Sequence, residues 1–252
     1  MWRGCAGAAV TALLVTLGLP VPGATAADSR VDDADLAKAL IKESWNPPWF
    51  GPLATYSASV GAKGAKPDVC VAPGDGARDR VLKGTKSSAL AFMMMTFGQK
   101  PGHALALQQQ IYQYSSEASG AAAWEDMKRV AASCPRSWSD TFEPPEVIDG
   151  AKVRQMRVRV TVSFGSGSDG REQMVVTTTR KWRAQAEDGA GTRRMAQVLN
   201  IWTREGAALV HIDAYKSIPS WKHRAFSPAQ RDTLQTMTSL AIERYRQSGA
   251  AR

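Results

Sequence analysis

The chain has 252 residues, of which 44% are hydrophobic and 22% charged, and it carries a formal net charge of +9 at pH 7. That length and apolar content support one sizeable core or two small ones, and they leave no long disordered tract and no solenoid-length repeat. The basic excess comes without any nucleic-acid motif.

Residues 1–27 have the layout of a secretory signal peptide. Arg3 supplies the early positive charge, an apolar stretch runs from about Ala8 to Val21, and the small residues Ala24-Thr25-Ala26-Ala27 follow. The alternative is an uncleaved membrane anchor, but Gly18, Pro20, Pro22 and Gly23 break an already short apolar run. Cys5 precedes that run, so the lipoprotein pattern is not met. The expectation is a secreted protein, extracellular or associated with the cell wall, with residues 28–252 as a single domain and no transmembrane helix in the mature chain. Removal of Arg3 takes the net charge from +9 to +8 and leaves two cysteines, Cys70 and Cys134. In an exported chain these are expected to pair. Closing that loop stabilises by roughly 4 kcal/mol in the chain-entropy description.

A helical period over 28–45 places Leu36, Leu40 and Ile41 on one face, with Asp32, Asp33 and Asp35 near the start, where the helix dipole favours negative charge. "NPPWFGP" stops it, and Trp45, Trp49 and Phe50 around the prolines suggest an aromatic lip or a loop folded onto the core. Residues 51–87, rich in Gly and Pro, read as irregular. Residues 88–98 and 103–116 read as a hairpin about Pro101-Gly102. The first strand, containing "FMMM" (Phe92 to Met95), is apolar on both sides. A helix over 116–134 puts Ala123, Met127, Val130 and Cys134 on one stripe. After a connection, strands follow at 153–165, 172–185, 194–206 and 207–217. A last helix starts at Ser227-Pro228, a cap followed by proline at the first helical position, and turns Leu234, Met237, Leu240, Ala241 and Tyr245 inward. The expected fold is α+β: an antiparallel sheet of about six strands in hairpin and meander order, helices packed on one face, and one disulfide.

The helix "AAAWEDMKRVAASCP", with Trp124 ten residues before Cys134, followed by the strand meander and C-terminal helix, resembles the PknH-like extracellular sensor domain family of actinobacteria. The resemblance spans roughly Asp33 to the C-terminus, and Cys70 and Cys134 match one of that family's disulfides. It implies an α+β domain with a large cleft for a ligand. This chain lacks the second disulfide of the kinase-borne domain and any kinase segment.

Between Lys152 and Arg204 there are eleven basic side chains against four acidic ones. Sequential pairing would place Arg157, Arg159, Lys181 and Arg183 on one polar face, with Trp182 and Trp202 nearby. Such a face concentrates anions, and arginine forks bind phosphate or carboxylate. The plainer alternative is a solvated face guarding the sheet against aggregation. Tyr112 and Tyr114, with Gln108, Gln109 and Gln110, could supply polar groups to an apolar pocket. His211 and Asp213 share a strand face and could orient a general base. His103 and His223 fall at a turn and in a loop. No G-x-S-x-G elbow, no H-E-x-x-H and no metal-ligand spacing is present, and no cofactor is implied. The expected function is therefore non-enzymatic: ligand binding or sensing, with an anionic or amphiphilic extracellular ligand held between sheet and helices. The alternatives are a hydrolase or transferase using His211 and Asp213, and a cell-wall or membrane-surface interaction protein using its basic sheet face.

Overall fold

The computed structural model describes residues 32–42, 44, 53–65, 67, 69, 87–96, 104–148, 151–167, 169–184, 192–218 and 226–251, with backbone alone for 53–55, 91–96, 104, 105, 151, 184 and 192. Eight strands form one antiparallel sheet in the order β1-β2-β3-β8-β7-β6-β5-β4. In chain order the elements are α1 (Asp33–Ala39), β1 (Leu53–Val60), β2 (Ser87–Thr96), β3 (Ala104–Gln113), α2 (Glu117–Ser133), β4 (Ser137–Ile148), β5 (Ala151–Ser166), β6 (Glu172–Ala184), β7 (Thr192–Glu205), β8 (Ala208–Ile218) and α3 (Pro228–Gln247). A three-strand unit, β1 to β3, and a five-strand meander, β4 to β8, are thus joined by β3 pairing with β8.

The sheet has eight strands rather than about six. Both added strands lie at its edges. β1, LATYSASV, has small and hydroxyl side chains and little apolar contrast between its two sides, so the surrounding glycines and prolines masked it. β4, SWSDTFEPPEVI, contains Pro144 and Pro145, which argue against a central strand but are tolerated at an edge. Its register with β5 slips between Thr141 and Glu146, around those prolines. The expected Cys70–Cys134 bridge is not part of the described structure. Cys134 is the single cysteine among the described residues, buried at the C-cap of α2.

The helices do not share one face. Side chains alternate across a strand, and neighbouring residues here enter different cores. Val210, Ile212 and Ala214 pack with α1 and α3, as do Leu199 and Ile201. Leu209, Trp202 and Met174 pack with Trp124 and Met127 of α2. The first sheet face is therefore covered by α1 and α3, and the second by α2. The physical reason is the alternation of β7 and β8, which carry apolar side chains on both sides, so that one helical layer could not bury them.

Local chemistry explains the helix ends. Asp32 caps α1 by accepting from the Ala34 N–H, and Ser116 caps α2 by accepting from the Ser119 N–H. Ser227 and Gln230 form a capping box on α3, with Pro228 at the start. α1 ends earlier than its apolar period suggests because Leu40 is extended. Gln109 of β3 then takes over. Its Oε1 accepts from the Ile41 N–H at 2.5 Å, and its Nε2 donates to the Ala39 carbonyl at 3.3 Å. Gln109→Ala leaves both buried backbone groups without partners, so it should destabilise the protein by about 1–3 kcal/mol. Urea unfolding of the variant against wild type measures this; an unchanged midpoint would contradict it. On α3, Leu240 is exposed instead of inward, and Thr238 and Ile242 fill that stripe.

Candidate functional site

Three regions carry the polar and charged chemistry. The first is the half of the first sheet face that lies beyond α3. That helix rests on β7 and β8, and its Arg231 donates to Gln197 Oε1 of β7 at 3.0 Å. Past this edge, register sets Arg157 opposite both Ser139 and Lys181, Arg159 opposite Ser137 and Thr179, and Arg183 opposite Arg193. Arg157, Arg159, Arg183 and Arg193 are exposed and Lys181 is half-buried. Thr141, Gln155, Thr161, Ser163, Thr177 and Thr179 share this side of the strands. Trp182 and Trp202 are not part of it. They point to the second face and are 1% and 0% exposed, as alternation requires of Trp182 between Lys181 and Arg183.

The second region is the polar part of the opposite face. His211 stacks on Trp202, with ring centroids 3.7 Å apart and planes within 5°. Its Nδ1 lies 3.2 Å from Gln110 Oε1 and its Nε2 lies 3.0 Å from Asn200 Oδ1. Tyr112 donates to the same Gln110 oxygen at 2.5 Å. Burial holds the imidazole neutral, with a pKa pushed down to about 3. Asp213 shares the face with His211 but is not its partner, since both ring nitrogens are taken up by amides. Burial raises the Asp213 carboxyl to about 7. Tyr114, just past β3, is buried against α2 with its hydroxyl pushed up to about 12, chiefly by burial. So the structure gathers Tyr112, Trp202 and His211 in one stack, and it does not join His211 to Asp213 as a catalytic pair.

The third region is a cavity of about 260 Å³ lined by Trp124, Arg171, Glu172, Arg204, Glu205 and Gly206. The Trp124 indole donates to Glu172 at 2.7 Å, and Lys128 reaches the other oxygen of that carboxylate at 3.0 Å. The indole hydrogen bond, followed by Lys128, holds the Glu172 carboxyl below its ordinary range despite partial burial. Arg171 joins Asp169 and Glu205, and Arg246 grips Glu205 through two bonds of 2.7 and 3.1 Å. Each charge lining this cavity has an opposite charge on a neighbouring element. Sequence reading reached Trp124 but not Arg171, Glu172 or Glu205, which meet only because the β5–β6 and β7–β8 turns lie at the same end of the sheet as the start of α2.

Residues 1–27, Cys70, Trp45, Trp49, Phe50, His103 and His223, and the side chains of Phe92 to Met95, lie outside what is described. Among the described residues no helix is long and apolar enough to cross a membrane. No family model and no curated protein matches the chain. Among solved structures, the chain is similar to the extracellular domain of PknH from Mycobacterium tuberculosis, with a TM-score of 0.48 and 10% sequence identity over 86% of this chain and 97% of that one.

Proposed function

We propose that the chain is an exported, non-enzymatic binding protein whose ligand is anionic and docks on the basic shelf between α3 and the outer strands β4 to β6. The observation that carries this reading is the placement of Arg157 directly across from Lys181 and on the same side of the strands as Arg159, Arg183 and Arg193. Like charges directly opposite on a sheet repel by a few tenths of a kcal/mol to about 1 kcal/mol, and a bound anion turns that repulsion into attraction. Guanidinium forks suit phosphate and carboxylate oxygens. Export is supported by the layout of residues 1–27. The burial of His211 and its two amide partners support a packing role for that residue over a proton-transfer role.

The test is fluorescence anisotropy with labelled inorganic polyphosphate and, as a neutral control, labelled polyethylene glycol. Polyphosphate should bind with an affinity that falls steeply with salt, and polyethylene glycol should not compete. The double reversal Arg157→Glu/Lys181→Glu should weaken polyphosphate binding at least tenfold, equivalent to about 1.4 kcal/mol or more. Unchanged affinity in that variant would remove the shelf as the binding surface.

A further inference from the structure

The second sheet face carries a row of side chains that the basic shelf does not use. Gln108 of β3 stands directly opposite Asp213 of β8, which stands opposite Asn200 of β7. The row crosses two strand spacings, about 10 Å. All three side chains are half-buried. The next row, Gln110–His211–Trp202, is locked by the Tyr112 hydroxyl, the two amide bonds to His211 and the stacked indole. Asn200 is also held from behind, where its Nδ2 donates to the Val176 carbonyl at 3.4 Å. Gln108 and Asp213 contrast with these neighbours. Neither makes a hydrogen bond or ion pair with a described residue. A half-buried carboxylate without a donor is costly for a fold to keep. Here it is flanked by two amides, one of them fixed.

We propose that Gln108, Asp213 and Asn200 form a binding row for an uncharged, hydroxyl-rich ligand, an oligosaccharide, laid across β3, β8 and β7. Above pH 7 Asp213 is ionised, offers only acceptor oxygens and accepts from neighbouring hydroxyls. Gln108 offers both a carbonyl and an amide, so it suits a hydroxyl that must donate and accept. An anionic ligand is opposed by Asp213 itself. A small cation is opposed by the net charge of +9. Tyr215, half-buried two residues further along β8, adds a ring beside the row. This site is on the face opposite the basic shelf and does not depend on it.

The experiment is saturation-transfer NMR on the full chain with maltotriose, cellotriose and chitotriose, and with methylguanidinium chloride as the cationic probe. At least one trisaccharide should bind. Asp213→Asn should weaken it at least tenfold, Gln108→Ala should weaken it as well, and Arg157→Glu/Lys181→Glu should leave it unchanged. Near-UV circular dichroism checks that each variant is folded, and Gln108→Ala decides the matter if Asp213→Asn is not. Three outcomes overturn the proposal: none of the three sugars binds, sugar binding survives both row substitutions, or methylguanidinium alone binds in an Asp213-dependent way.

Discussion

Replacing Trp202 with alanine should lower the free energy of unfolding by about 3–5 kcal/mol, the range for removing a buried aromatic from a packed core. Trp202 is fully buried. It stacks on His211, tilts against Tyr112 at a centroid distance of 5.8 Å, and belongs to the cluster that includes Trp124 and Met127 of α2. Its loss opens a cavity in the core beneath α2 and frees the imidazole from its stack. Urea denaturation followed by far-UV circular dichroism measures the change. A loss below about 1 kcal/mol would mean that the second-face core does not anchor α2 as described.

The second large effect is in the pH dependence of stability. His211 has an ordinary pKa of 6.5 and a folded one of about 3, so folding favours the neutral ring. Its contribution is intact above pH 6.5 and is lost as the pH falls toward 3. Asp213 runs the other way. Its pKa rises from 3.8 to about 7, so the favourable state is the protonated one; that contribution is complete below pH 3.8 and gone above pH 7. Between about pH 4 and 6.5 the two slopes oppose each other, and these two groups together leave stability nearly flat. Asp213→Asn removes one slope. At pH 8 the variant should be more stable than wild type by about 2–4 kcal/mol, a range set below the full 1.36 kcal/mol per pKa unit because the carboxylate is only half-buried. At pH 4 the two proteins should match. Below pH 6.5 the variant should lose about 1.4 kcal/mol per pH unit through His211 alone. Urea midpoints across pH 4 to 8 read the difference; a constant offset between variant and wild type would show that burial does not shift Asp213.

Much of this fold was legible in the sequence where one side of an element differs from the other. The helix caps at Ser227 and the inward stripe Ala123, Met127, Val130 and Cys134 follow from local chemistry and period, and the structure has them. β5 alternates as its sequence suggests, although Phe164 at its end is 48% exposed. The edge strands were not legible. β1 lacks apolar contrast, and the prolines of β4 argue against a strand unless its place at the sheet edge is already known. Nor does alternation alone reveal which face a helix covers, so α2 was put on the wrong side. Register brought Arg157, Arg159, Lys181 and Arg183 together because adjacent meander strands are short-range partners. The Gln108–Asp213 row was invisible, because it depends on β3 meeting a strand more than 90 residues later in the chain.

That junction between β3 and β8 also orders the events of folding. The hairpin β2–β3 and the meander from β4 to β8 can each form from sequence neighbours, whereas the seam joining them requires closing a long loop, which is slow. Until it closes, β3 and β8 both expose unpaired backbone edges, and both strands are apolar on at least one side. Because β3 is synthesised well before β8, the N-terminal half must wait with an open, adhesive edge. The vulnerable interval in the life of this protein is therefore the time before its last strand arrives.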